Sequence, residues 1–476
     1  MQDKRIMDEM LEKSRAAQKA IEAYTQEQVD ELCRVIGRTV YDNAEELARM
    51  AVEETGMGLY EDKVKKNMGK SRIIWNDIKG GKSVGIIRRI PEEGIVEVAK
   101  PIGVIGCITP VTNPIVTPMC NAMFAVKGRN SAIICPHPSA KKCSAETVRR
   151  INENLAKAGA PEGLVQCIEE PTLELSSMTM QMCDTCISTG GAAMVRTAYS
   201  SGKPAFGVGP GNVQCLIDRD ADLAQAIPKI ITGRCFDNGI ICSGEQSVIL
   251  PEEMLDDALE VFAANGAYYI SEKDEVDAVR RILFPSGQMN KNLVGRSAAD
   301  VAEAAGVEVP EGTRMLLVRA AGCGYKAVLN EEGGRAAELI RQAGYAADDD
   351  LAKEKMAPVQ ALYLYNEWEQ ALAIAKANME LQGNGHSVAI HSGNEANIEK
   401  AALVLHASRF VVNQACSTNA GGSFVNGLAP STTLGCGSWG GNNISENLSW
   451  RHLFNVSRIA YEKPDAVQPS DEEIWK

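Results

Sequence analysis

Gly103-Val104-Ile105-Gly106-Cys107-Ile108 is the first of three short apolar runs that decide the fold, followed by Ser131-Ala132-Ile133-Ile134-Cys135 and Thr185-Cys186-Ile187-Ser188. Each precedes a helix-patterned stretch, at Pro118 to Val126, Cys143 to Ala158 and Ala192 to Tyr199. An apolar run without polar alternation fits a strand covered on both faces. Strand then helix, repeated, predicts an α/β fold with a doubly wound parallel sheet.

Working outward, a second α/β stretch follows. Val213 to Ile217, Gln246 to Leu250, Met315 to Val318, Gln360 to Tyr365, Ser387 to His391 and Phe410 to Asn413 read as its strands. Upstream, the first 75 residues carry helical periodicity, as in Val29, Leu32, Val35 and Ile36 and then Leu47, Ala48, Ala51 and Val52, with Thr55-Gly56 as a stop. They read as packed surface helices. Val84 to Ile87 and Gly94 to Val98, either side of a Pro-containing turn, predict a hairpin. Asn426 to Asn447 is rich in Gly, Ser, Thr and Asn and reads as a long shaped loop, because Leu428, Leu434, Trp439 and Ile444 give it side chains to bury.

At 476 residues the chain exceeds one compact core, so two or three packed domains are expected. A net charge of −13 opposes binding to nucleic acid or an anionic membrane, so an anionic substrate must meet a local basic site. Met1 to Ala23 lacks the pattern of an export signal and no apolar stretch is long enough to span a bilayer, which predicts a cytoplasmic protein. The fourteen cysteines then read as reduced thiols. Cys183 and Cys186 form a lone C-x-x-C with no second pair, so no metal is expected.

The chemistry centres on Phe236-Asp237-Asn238-Gly239-Ile240-Ile241-Cys242-Ser243-Gly244-Glu245-Gln246. A cysteine on a Gly-flanked turn before a strand can present its sulfur to a cleft, with backbone N–H groups beside it for an oxyanion. The segment resembles the nucleophile motif of the CoA-acylating branch of the aldehyde dehydrogenase superfamily. Four further blocks carry the same likeness in order along the chain: Ile108 to Pro114, Ala205 to Asn212, Glu354 to Val359 and Leu434 to Gly440.

The resemblance implies the aldehyde dehydrogenase fold. A Rossmann-like cofactor domain would occupy 1–82 and 99–212, and a catalytic domain 213–413. An oligomerisation hairpin with a C-terminal segment would occupy 83–98 and 414–476, giving a homodimer or a dimer of dimers. It makes Cys242 the nucleophile and Asn113 an oxyanion donor. It assigns Thr109, Pro110, His137, Pro138, Ser139, Thr189, Gly190, Gly191, Gly209 and Glu354 to an NAD or NADP site. Lys141 and Lys142 are candidates for a 2′-phosphate, although exposed helix lysines are the plainer reading. Hydrolysing members carry a Glu upstream of the cysteine that activates water; the matching stretch here, Phe206 to Asn212, has no carboxylate. Coenzyme A is then the acceptor, because its thiol ionises far more readily than water. His386 reads as a structural residue before a strand.

Within the branch the likeness is to the succinate-semialdehyde enzymes, which implies succinate semialdehyde and succinyl-CoA. Sulfoacetaldehyde and short aliphatic aldehydes are the alternatives, and acid-forming or acyl-phosphate chemistry and a noncatalytic shell protein are more distant ones. An anionic semialdehyde needs a cation near the thiol. Arg234, eight residues before Cys242, is the candidate, with Ser243 beside the nucleophile as a second substrate contact and Arg409 as a second choice.

Overall fold

The computed structural model describes residues 2–329 and 334–476. Four helices come first: Gln2–Ile21, Gln26–Asp42, Ala44–Thr55 and Tyr60–Ile78. Val29, Leu32 and Ile36, then Leu47, Ala48 and Ala51, are buried as the periodicity predicts. Gly56 ends the third helix in the left-handed conformation (φ 64°), its N–H on the Val52 carbonyl. The fourth departs from the surface-helix expectation. Its first three turns bury Lys63, Lys66, Asn67 and Ser71, and the buried face turns apolar only from Ile73.

The hairpin is present as β1 (Gly85–Ile90) and β2 (Ile95–Pro101), paired antiparallel with Ile90 opposite Ile95. Next come β3 (Val104–Ile108), β4 (Ser131–Cys135), β5 (Val165–Cys167), β6 (Thr185–Thr189) and β7 (Ala205–Val208). They form a parallel sheet in the order β5-β4-β3-β6-β7. The strand order reverses at β3, which opens a crevice between the C-terminal ends of β3 and β6, where open α/β sheets take ligands.

The second parallel sheet contains β8 (Val213–Ile217), β9 (Glu245–Pro251), β10 (Ala267–Ile270), β11 (Met315–Arg319), β12 (Val359–Tyr365), β13 (Gly385–His391) and β14 (Ala407–Val412). Their order is β10-β11-β12-β9-β8-β13-β14. β8, β9, β12 and β13 are buried at every residue, as central strands covered by helices on both faces must be. β15 (Phe454–Ala460) returns to pair with β2 along its length, completing a three-stranded antiparallel sheet.

Four strands lie outside the sequence expectation. β5 has three residues and β10 four, too few to show a period. β7 has four residues and runs directly into Gly209-Pro210-Gly211, and β15 is half-exposed and carries Asn455, Ser457 and Arg458. The segment Asn426 to Asn447 is mostly without helix or strand and reaches both parallel sheets, the Leu434 carbonyl accepting from Arg409 of β14 at 3.5 Å. Thr433 Oγ1 is 3.0 Å from Thr189 Oγ1 at the end of β6, and Tyr199 Oη is 3.2 Å from Asn443 Oδ1. Leu434 is buried, but Trp439 stays 44% exposed, stacked on the His406 ring with centroids 5.4 Å apart.

Candidate active site

Helix Leu223–Cys235 runs into a single turn, Phe236–Gly239, and β9 leaves from Glu245; Cys242 sits on the short connection between them. The turn is strained, because Asp237 and Asn238 both take φ 52°, which costs a residue with a Cβ about 1–3 kcal/mol. What holds it is a set of buried charges. The Asp237 carboxylate accepts from Lys66 Nζ at 2.6 Å, from Lys63 Nζ at 3.0 Å and from the Leu59 N–H at 2.9 Å. Asn238 donates to the Gly295 carbonyl at 3.0 Å. The two lysines keep the Asp237 carboxyl below its ordinary range despite its burial, while burial, with Lys66 alongside, pulls Lys63 down to about 8.

Arg234 belongs to this bracing, which corrects the expectation that it grips a substrate. Its side chain is 0% exposed. The guanidinium donates to the Gly239 carbonyl and, at 3.4 Å, to that of Glu245, so it is held inside the turn. Arg409 is likewise committed, to the His386 carbonyl at 2.6 Å, Ser387 Oγ at 3.1 Å and Asn447 Oδ1 at 3.1 Å.

Cys242 is half-buried in the wall of a cavity of about 370 Å³. Desolvation, with the Glu354 carboxylate next, pushes its thiol up to about 12. It therefore needs a proton acceptor before it can attack. Three groups converge on Gly211. Its N–H donates to Glu354 Oε1 at 3.2 Å, and a Cβ there would lie 2.0 Å from the Cys242 carbonyl oxygen and 3.4 Å from His386 Cδ2. Burial raises the Glu354 carboxyl to about 7. His386 is fully buried, its Nδ1 3.0 Å from Ser387 Oγ and its Nε2 without a hydrogen-bond partner among the described residues. Burial, with Arg409 next, lowers that imidazole to about 3, so it is neutral.

Asn113 and Ser243 line the same cavity as Cys242. Ser243 Oγ is tied to the Ser417 carbonyl at 3.3 Å. The Asn113 Oδ1 accepts from Lys66 Nζ at 2.9 Å, while its Nδ2 has only a 3.3 Å bond to Thr112 Oγ1. One wall is a stripe of the fourth helix: Lys65, Lys66, Gly69, Lys70, Arg72 and Ile73. None of the described residues lining the cavity is an Asp or a Glu.

The sequence reading missed this cationic wall. Lys70 Nζ donates to the Gly421 carbonyl at 2.8 Å and to that of Ser431 at 3.2 Å. An ammonium has three N–H groups, so one remains for a ligand. Lys66 has none to spare, with Thr112 O, Asn113 Oδ1 and Asp237 Oδ2 as acceptors. Burial pulls Lys70 down to about 8, which leaves it charged at neutral pH. The signal available in the sequence was Lys63, Lys66, Asn67, Lys70 and Ser71, a helical stripe of polar residues where a packed helix has apolar ones.

The other expected site residues gather at the C-terminal ends of the five-stranded sheet. Thr109 and Pro110 follow β3, and the buried Thr109 hydroxyl has no hydrogen-bond partner among the described residues. His137, Pro138 and Ser139 follow β4 and are exposed, with His137 Nδ1 accepting the Ser139 N–H at 3.1 Å. Thr189, Gly190 and Gly191 lead from β6 into helix Ala192–Tyr199, which has no side-chain cap. A Cβ at Gly190, Gly191 or Gly209 would meet nothing within 4 Å, so this crevice has room for a cofactor, and the uncapped N–H groups suit a phosphate. Lys141 pairs with Glu170, and the backbone N–H of Lys142 donates to Glu54 at 2.8 Å.

Residues 1–277 match the aldehyde dehydrogenase family. The chain is 51% identical over 467 residues to the succinate-semialdehyde dehydrogenase (acetylating) of Clostridium kluyveri, covering 98% of each chain. It is 40% identical over 471 residues to a sulfoacetaldehyde dehydrogenase from an Acholeplasma species, covering 98% of this chain and 92% of that one. A solved propionaldehyde dehydrogenase of Rhodopseudomonas palustris, with bound CoA and an acylated cysteine, matches with a TM-score of 0.82 at 26% identity, over 96% of this chain and 97% of that one.

Proposed function

This chain belongs to the aldehyde dehydrogenase family, and from that premise we propose that it interconverts succinate semialdehyde, CoA and NAD(P)+ with succinyl-CoA and NAD(P)H through a thioester on Cys242. The observation that carries the substrate is the cavity at Cys242, where Lys70 keeps an N–H unused beside Arg72 and no described lining residue is a carboxylate, although Lys65 and Lys66 pair outside the lining with Asp62 and Asp237, in a chain of net charge −13. A neutral aldehyde gains nothing from those charges. An aldehyde acid gains a charge-assisted bond from the free N–H of Lys70, the role first expected of Arg234.

In the oxidative direction the Cys242 thiol gives up its proton and the sulfur bonds to the aldehyde carbon. Glu354, with its carboxyl near neutrality, is the group at Gly211 able to take that proton, while burial leaves His386 too weak a base for it. The carbonyl oxygen becomes an oxyanion facing Asn113 Nδ2 and the Cys242 N–H. A nicotinamide cofactor bound in the crevice of the five-stranded sheet supplies the hydride acceptor. The resulting thioester loses its acyl group to the CoA thiolate, which returns Cys242. The fourteen free cysteines support a cytoplasmic setting. Exposed Ile86, Ile459 and Tyr461, on and just after the three-stranded sheet, support assembly of a homodimer or dimer of dimers through it.

The test offers succinyl-, sulfoacetyl- and acetyl-CoA with NADH or NADPH to the unmodified enzyme and to Lys70→Met. Succinyl-CoA should be reduced with the highest kcat/KM, and Lys70→Met should remove about 1.5–3 kcal/mol of that advantage over acetyl-CoA. Preference for acetyl-CoA, or indifference to Lys70→Met, overturns the substrate reading. In the oxidative direction without CoA, one burst of reduced cofactor per Cys242 should precede very slow turnover. Steady release of free acid would overturn the acylating reading instead.

A further inference from the structure

Among the described residues Lys66 is the one cation of the cavity wall whose N–H groups are all taken, and what they are taken by points beyond substrate binding. Its ammonium joins three things: the Thr112 carbonyl at 3.3 Å, the Asn113 side-chain oxygen at 2.9 Å and the buried Asp237 carboxylate at 2.6 Å. Asp237 lies in the strained turn five residues before Cys242, and Asn113 comes from the loop after β3. Lys66 therefore ties the donor loop to the nucleophile turn. It also decides which way the Asn113 amide faces. An ammonium only donates, so the amide atom beside it must be oxygen, and Nδ2 is turned away from it. Without Lys66, the near-symmetric amide can rotate and present oxygen to the oxyanion, which repels it.

We infer that Lys66 is a positioning residue: it fixes the Asn113 amide with its N–H toward the reacting oxygen and, through Asp237, locks that donor in register with Cys242. Asp237 anchors the ammonium, and Lys63 donates to the same carboxylate oxygen at 3.0 Å with no hydrogen bond to Asn113 among the described residues. The pair Lys63 and Lys66 thus separates two jobs on one carboxylate. Both lysines stabilise the turn, and Lys66 alone orients the donor. The inference rests on the reading of Asn113 as an oxyanion donor.

The experiment is a double-mutant cycle read in single-turnover acylation and in steady state. Asn113→Ala should lower kcat roughly 100-fold, the usual effect of removing one such donor. Lys66→Met should lower kcat about 10-fold or more with KM for succinyl-CoA changed less than about threefold, since Lys66 acts on the transition state through Asn113 and not on the substrate's acid end. In the Asn113→Ala background, Lys66→Met should have less than about a twofold further effect on kcat, because the donor it orients is gone. Lys63→Met, which also leaves Asp237 with one lysine and the Leu59 N–H, should lower thermal stability to a similar degree while costing far less kcat. The triple variant Lys63→Met, Lys66→Met and Asp237→Asn removes all three buried charges together and supplies folded protein if the single variant does not fold; the same kcat loss is expected. Additive losses in the cycle, equal kcat losses for Lys63→Met and Lys66→Met, or a raised KM with kcat intact would each overturn the inference. An unchanged kcat in Asn113→Ala would instead overturn the reading of Asn113 itself.

Discussion

Glycines lie on both sides of the cleft and are used in opposite ways. At the ends of the five-stranded sheet, Gly190, Gly191 and Gly209 face open space, with no atom within 4 Å of where a Cβ would sit. On the nucleophile side, a Cβ at Gly58 would lie 1.9 Å from the Asp237 carboxylate, at Gly211 2.0 Å from the Cys242 carbonyl oxygen and at Gly239 2.3 Å from the Arg234 guanidinium. The first set leaves room for something that arrives and departs. The second leaves room for the protein's own backbone and buried charges, so that the thiol and the oxyanion donors are already in place when substrate enters. One side is built for exchange and the other for fixed geometry.

The largest test of that contrast removes the fixed side's reactive atom. Cys242→Ala should lower turnover by about 1,000-fold or more while cofactor binding and melting temperature stay near those of the unmodified chain, since a covalent step is lost and no core contact with it. Residual turnover of more than a few per cent would place the nucleophile elsewhere.

A matched pair of methyl additions sharpens the comparison. Gly211→Ala must displace the Cys242 main chain or the Glu354 contact and should cost about 1–3 kcal/mol of stability together with most of kcat. Gly190→Ala adds the same atom to open space and should change stability by less than about 0.5 kcal/mol. Similar melting curves for the two would show that the two sides are not packed differently.

The smallest effect is electrostatic. The Glu354 charge is the second cause, after desolvation, of the raised Cys242 pKa, so Glu354→Gln should move the pH profile of iodoacetamide alkylation of Cys242 downward. The variant also has a linked stability signature. A carboxyl raised from 4.5 to about 7 stabilises the fold below pH 4.5, and that contribution fades as the pH rises through about 7. Glu354→Gln should therefore lose less melting temperature than the parent chain between about pH 5 and 8. An unmoved alkylation profile would mean that the carboxylate does not act on the thiol.

The two sides were also unequally legible in the sequence. The strands of the exchange side announce themselves, because β3 and most of β4 are apolar at successive positions and, with most of β6, are buried on both faces. The Cys242 turn was legible through its flanking glycines and through family likeness. Its supports were not, since Lys66 and Asp237 stand 171 residues apart and nothing local couples them. Arg234 misled for a related reason. Eight residues before the cysteine looks close along the chain, but position 234 falls where the helix ends and its side chain folds under the turn instead of into the cavity. The polar stripe of helix Tyr60–Ile78 was visible, yet exposed and buried lysines look alike until their partners are known. β15 escaped because a half-exposed edge strand alternates weakly.

That helix also sets a length. Lys66 holds the amide proposed to meet the reacting oxygen, Lys70 has a free N–H for the far end of the proposed substrate, and four residues of helix separate them by about 6 Å along the axis. The wall is therefore a gauge graduated in helical rise. Succinate semialdehyde places two methylenes between its aldehyde and its acid group; sulfoacetaldehyde has one, and the next higher homologue has three. A gauge rejects by mismatch at either end instead of by crowding, so selectivity among aldehyde acids should peak at one chain length and fall on both sides of it, even where the cavity has volume to spare.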